Sequence, residues 1–142
     1  MTHALDVADY IVSVANNNEL FLSNRKLQYI LYVLQSIFLS QKGRELFSQQ
    51  IEAWDMGPVC PAVYAEYKAY GSSSIPYTYP ATMQDIPQQD RNILDSGLLM
   101  ALLNMSVENL KDMCRSMPSY RNTYVPKRQR IITKEALSAA CA

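Results

Sequence analysis

Apolar side chains recur at helical spacing through residues 4–17, where Leu5, Ala8, Ile11, Val12 and Ala15 share a face before Asn16, Asn17 and Asn18 break the period. Ser23 is suited to cap a second, longer helix that runs to Gly43. In it, Leu27, Ile30, Leu31, Leu34, Ile37 and Phe38 form a continuous stripe, with Arg25, Tyr29, Tyr32 and Ser36 along the other side. A stripe of that width predicts a central helix, with roughly 10 kcal/mol of transfer free energy gained before chain entropy is subtracted.

The period then changes. Residues 51–54 are too short and too β-prone for a helix, and Asp55, Met56, Gly57 and Pro58 read as a sharp turn after a short strand. A helix follows, with Pro58 or Pro61 in its first turn, where a missing N–H costs least. Val63, Tyr67 and Tyr70 fall on one side of it, and Gly71 closes it in the left-handed conformation.

Residues 72–80, with three serines, Pro76, Tyr77, Tyr79 and Pro80, predict an ordered loop or edge strand. Helical spacing resumes at Ile86, Ile93, Leu94, Leu98, Ala101 and Leu102, with Pro87 in the first turn. Gly97 inside that helix predicts the close approach of another backbone. Ser106 caps a further helix, with Val107, Leu110, Met113, Cys114 and Met117 inward, and Pro118 stops it. Residues 119–132 lose the period, 129–133 alternate toward a short strand, and Thr133 caps a final helix. The sum is a mainly α, compact helical domain over residues 1–142, of about five to seven helices with a small two- or three-stranded antiparallel sheet around residues 51–54.

Composition narrows the class. With 49% hydrophobic and 18% charged residues the chain is neither disordered nor a coiled coil. Cys60, Cys114 and Cys141 are odd in number, far apart and without C-x-x-C spacing, which predicts reduced thiols in a cytoplasmic protein. Two acids by residue 9 speak against a signal peptide, and no stretch has the ~18 apolar residues of a membrane span. The net charge is zero, which disfavours bulk binding to nucleic acid. Charge is nevertheless uneven: Arg121, Lys127, Arg128, Arg130 and Lys134 fall within residues 121–134, a span without an acid.

Candidate chemistry is sparse. The only histidine is His3, in what reads as a frayed N-terminus, so no serine or cysteine has a well-placed imidazole to borrow. Asp55, Glu52 and Glu66 have no carboxylate partner at a diagnostic spacing, and neither hard-ion loops nor clustered soft ligands are present. The reading is no enzyme, no metal and no cofactor. A phosphate site at Gly57-Pro58 is disfavoured because Pro58 and Pro61 each remove a donor. Trp54 reads as core. Tyr64, Tyr67, Tyr70, Tyr77 and Tyr79 supply stiff contact area with polar tips, which suits a protein-binding surface.

One run carries a resemblance. KLQYILY at 26–32, a glycine at 43 with Leu46-Phe47 after it, and IEAWDMGPVCPAVYAEYKAYG at 51–71 together resemble the Panacea antitoxin domain, a family found on prophages and other mobile elements. The likeness covers roughly residues 5–115 and is densest at 25–71. Relatives often carry a Thr-His pair and then a Pro-Trp near the end, where this chain has Met113-Cys114-Arg115 and Pro118-Ser119-Tyr120. The resemblance implies an antitoxin that neutralises a co-encoded toxin by direct binding. It also leaves open a proteolytic adaptor that delivers a bound protein to a cytosolic protease, with residues 139–142 as a tether, or a phage protein that inhibits a host factor. Nucleic acid is the disfavoured partner.

On this reading Tyr64, Tyr67, Lys68 and Tyr70 with Arg121, Lys127, Arg128 and Arg130 form the partner surface. Lys26, Leu27, Trp54, Gly57, Pro58 and Pro61 are assigned to the scaffold.

Overall fold

The computed structural model describes residues 2–76 and 85–139. Tyr77, Tyr79 and Pro80 of the expected edge strand, and residues 140–142 of the suggested tether, lie outside the described residues.

Helix α1 spans Ala4–Asn17. His3 begins it: its Nδ1 accepts from the Leu5 N–H at 3.0 Å while the Asp6 carboxylate accepts from the His3 N–H at 3.2 Å. The end is capped rather than frayed, because these two bonds satisfy helix-terminal donors reciprocally.

Helix α2, Asn24–Ile37, starts at Ser23 as expected, with the Ser23 hydroxyl accepting from the Lys26 N–H at 3.2 Å. It continues through a single π-helical turn, Phe38–Lys42, and stops at Gly43. The side opposite the aliphatic stripe is buried as well: Tyr29, Tyr32 and Ser36 have about 1% exposure or less, and Arg25 alone in α2 is exposed. Tyrosine hydroxyls and amides tolerate this burial because each finds a partner. The Tyr29 OH donates to the Met56 carbonyl at 2.9 Å, Tyr32 bonds Ser119, and Ser36 Oγ donates to the Tyr32 carbonyl.

Strand β1, Ile51–Trp54, is the middle of a three-stranded antiparallel sheet ordered β2-β1-β3, with β2 at Gly57–Val59 and β3 at Arg130–Ile132. Trp54 pairs with Gly57, so Asp55 and Met56 alone form the turn and Gly57-Pro58 belong to a strand rather than the turn. Pro58 is tolerated there because β2 is an edge strand. Ile51 and Ala53 point into the core, while Glu52 and Trp54 stand on the other face, half-buried.

Helix α3, Pro61–Tyr67, has its proline in the first turn and tightens into a 3₁₀ turn, Lys68–Tyr70. Gly71 has φ 57 and ψ −128, a positive φ outside the expected left-handed helical region.

Helices α4, Gln88–Ile93, and α5, Leu99–Leu103, are joined by a π turn, Leu94–Leu98, kinked at Gly97. Pro87 is the residue before α4. The backbone approach expected at Gly97 is absent among the described residues: none of them lies within 4 Å of where a Cβ would stand, and the glycine serves a φ of 110° instead.

Ser106 caps α6, Val107–Ser116, accepting from the Asn109 N–H at 3.0 Å. Pro118 ends that helix and opens another short one, α7, Pro118–Arg121, where a residue run without period had been expected. Thr133 caps α8, Lys134–Ala139, through a bond from the Ala136 N–H. The described core is one cluster running from Ala4 to Leu137, with α2 at its centre and contacts from α2 to α1, α3, α6, α8 and β2.

Candidate functional site

The site is built on the polar side chains of α2. Asn24, Lys26, Gln28 and Tyr29 each hold a backbone group outside the helix. Lys26 is buried, and its Nζ donates to the Leu103 carbonyl at 2.6 Å and the Phe21 carbonyl at 3.4 Å, tying the end of α5 to the loop before α2. Burial lowers its pKa. Gln28 accepts from the Cys60 N–H at 2.9 Å and donates to Asn24, which in turn donates to the Tyr64 carbonyl at 3.1 Å. These bonds fix the start and the middle of α3. The Tyr29 hydroxyl, pushed up to about 12 by burial, sets the turn of the β1–β2 hairpin through Met56.

What this frame displays is a pair of grooves. The first, of about 460 Å³, is lined by Phe21, Arg25, Met56, Tyr64, Lys68 and Val107 among others. The second, of about 450 Å³, is lined by Trp54, Asp55, Met56, Lys127, Arg128 and Gln129. Met56 lines both, and the Trp54 and Tyr64 rings meet edge to face at 5.3 Å. The tyrosine-lysine patch of α3 and part of the basic C-terminal segment are thus neighbours across the hairpin turn.

The C-terminal segment is tied to that turn. The Asp55 carboxylate accepts from the Lys127 N–H at 2.8 Å and the Tyr124 hydroxyl at 2.7 Å, and the Asp55 carbonyl accepts from Arg115 Nη1 at 2.8 Å. The Arg115 guanidinium lies 5.7 Å from the centre of the Tyr120 ring and 6.0 Å from that of Tyr124, the two rings being stacked at 5.3 Å. The Tyr120 hydroxyl donates to the Trp54 carbonyl at 2.6 Å. Arg115 and Tyr120 therefore both bind the hairpin turn.

The Lys127 N–H and the Tyr124 hydroxyl hold the Asp55 carboxyl below its ordinary value, and the same bond raises Tyr124. Because Asp55 is depressed in the folded state, its contribution is present above the ordinary carboxyl pKa of about 4 and is lost as pH falls through the lower, folded value. Asp55→Asn should loosen residues 124–128 at neutral pH, read as faster amide exchange at Lys127 and faster tryptic cleavage after Lys127 and Arg128. Unchanged exchange would remove the latch.

The expected surface residues are distributed as follows. Tyr64 is half-buried in the first groove and Lys68 is exposed there. Tyr70 is 38% exposed. Tyr67 is not a surface residue: it is 2% exposed and its hydroxyl donates to Asp9, since its helical position turns it toward α1. Lys127 and Arg128 line the second groove. Arg121 and Arg130 are exposed but line neither groove: Arg121 donates to the Ser116 carbonyl at 3.1 Å and Arg130 pairs with Ala53 in the sheet.

Of the scaffold residues, Lys26, Leu27, Gly57 and Pro58 are buried and Pro61 opens α3. Trp54 is half-buried, its Nε1 donating to Glu52 at 2.9 Å, and so is not core. Trp54→Ala should accordingly cost only about 1–2 kcal/mol, less than a fully buried tryptophan; a loss of melting temperature on the scale of a core deletion would contradict this placement.

Phe21, Arg25 and Met56 were not read from the sequence, and no local period marks them. A large apolar residue in a loop beside a helix-opening arginine is the one signal the sequence holds for them. Among the described residues no three His, Cys, Asp or Glu side chains gather as a metal-binding group, and no helix is long and apolar enough to cross a membrane.

Residues 27–117 match the family model described as antitoxin SocA-like, Panacea domain. A protein of Caulobacter vibrioides named Antitoxin SocA is 39% identical over 69 residues, which is 49% of this chain and 37% of the relative's length. No solved structure matches.

Proposed function

Because this chain belongs to the SocA-like Panacea antitoxin family, we propose that it is an antitoxin that neutralises a toxin encoded beside it by binding that protein directly. The observation that supports direct binding most is the juxtaposition of two grooves around Met56, lined by aromatic side chains and by Arg25, Lys68, Lys127 and Arg128. Exposed aromatic and basic residues beside adaptable methionine are what protein interfaces use, and holding a toxin asks for no proton transfer. Complementary charge speeds encounter and fixes register. The protein acts in the cytoplasm, where such a toxin would be made.

Co-expression with the product of each neighbouring reading frame tests the proposal. Growth lost to a toxic neighbour should be restored by this chain, and the two should purify as a stoichiometric complex. Arg128→Glu with Arg130→Glu should weaken neutralisation roughly tenfold at unchanged melting temperature. No toxic neighbour restored to growth would defeat the proposal; full neutralisation by the double variant would remove the basic segment from the contact.

A further inference from the structure

We infer that the groove between the loop before α2, the C-terminal half of α3 with the turn after it, and the β1–β2 turn docks an acidic segment of the partner protein that seats one large apolar side chain against Phe21, Met56 and Tyr64. The inference deepens the antitoxin reading and rests on it for the partner's identity.

Charge is the first ground. The groove lining contains two cations, Arg25 and Lys68, and no acid. Among the described residues the ion pairs are those of Arg44, Lys111 and Lys134, so neither groove cation is part of one.

Preorganisation is the second. Phe21 is 50% exposed, yet its loop is fixed: Lys26 Nζ holds its carbonyl, and the next N–H, of Leu22, donates to Ser74 Oγ at 3.0 Å. The Met56 carbonyl is likewise held by the buried Tyr29 hydroxyl. An apolar ring kept in water on a fixed backbone adds little ordering cost on binding. The volume of about 460 Å³ is that of sites which enclose a small ligand or an anchoring side chain. The formal net charge of zero disfavours a phosphate backbone as the occupant and favours protein over nucleic acid.

Continuity is the third. Met56 opens into the second groove, where Lys127 and Arg128 stand and where the one acid, Asp55, is already engaged by Tyr124 and the Lys127 N–H. A segment with carboxylates on both sides of its anchor finds cations at both ends.

The probe is a fluorescein-labelled peptide with a central Leu-Phe flanked by aspartates, compared with its counterpart bearing lysines and with a single-stranded oligo-dT of equal charge. Anisotropy should show the acidic peptide binding at least about tenfold tighter than the lysine peptide. Arg25→Glu with Lys68→Glu should abolish that preference, and Phe21→Ala should weaken the acidic peptide, all at unchanged melting temperature. Equal binding of the two peptides, or tighter oligo-dT, overturns the inference. In the growth assay the charge-reversed pair should fail to neutralise; if it neutralises like the wild type, the docking site falls while the antitoxin reading stands. Acidic-peptide capture through Arg25 and Lys68, with no neighbouring protein neutralised, would keep the site and defeat the antitoxin reading.

Discussion

Gln35→Leu is expected to lower the unfolding free energy by about 3–5 kcal/mol, although it swaps one side chain for another of similar size. The Gln35 carboxamide is 1% exposed, in the middle of α2. Its oxygen accepts from the N–H groups of Leu46 and Phe47 at 2.8 and 3.3 Å, and its nitrogen donates to the Phe47 carbonyl at 2.8 Å. This one amide acts as the hydrogen-bonding partner of a strandless segment. Leucine leaves three main-chain groups in the core without partners, each costing about 1–3 kcal/mol when left dry. Leu46 and Phe47, each 1% exposed, are what that segment buries. Urea unfolding should show a lower midpoint at constant slope. A loss below about 1 kcal/mol would mean that water reaches all three groups.

Gly57→Ala carries the second large effect, about 3 kcal/mol, from two separable causes. The backbone there has φ 130°, which costs any residue with a Cβ. An added Cβ would also sit 2.8 Å from Tyr29 Cε1, and Tyr29 cannot swing aside while its hydroxyl is bound to the Met56 carbonyl and its ring is 1% exposed. A double-mutant cycle with Tyr29→Ala separates them. The combined loss should fall short of the sum of the single losses by the steric part. Strict additivity would assign the whole effect to backbone strain.

These two sites show what could be read from the chain and what could not. Capping serines and the threonine at 23, 106 and 133 announce their helices because the information is local: one hydroxyl and the free N–H groups beyond it. The strand at 51–54 and the aliphatic stripe of α2 are legible for the same reason. Tyr29 and Tyr32 lie away from the aliphatic stripe as the period predicts, but the burial of that side is not legible, because a tyrosine's burial depends on an acceptor distant in sequence, here Met56 and Ser119. Gly97 and Gly57 look alike in a sequence, yet one serves a kink and the other faces a ring. The grooves were half legible. Tyr64, Lys68, Lys127 and Arg128 stood out by composition, but Phe21, Arg25 and Met56 join them only through three-dimensional adjacency, and Tyr67 leaves them for the core.

The order of the sheet has a bearing on biosynthesis. Strand β1 is flanked on one side by β2, which follows it directly, and on the other by β3, which begins at Arg130. A ribosome working at roughly 5–20 residues per second takes about 4–15 seconds to travel from the first strand to the last. Throughout that interval the nascent chain carries an unzipped ladder edge, the kind of template on which polypeptides stick to one another. On the antitoxin function proposed above, the delay sets a minimum lag between translation of the message and neutralisation of the toxin.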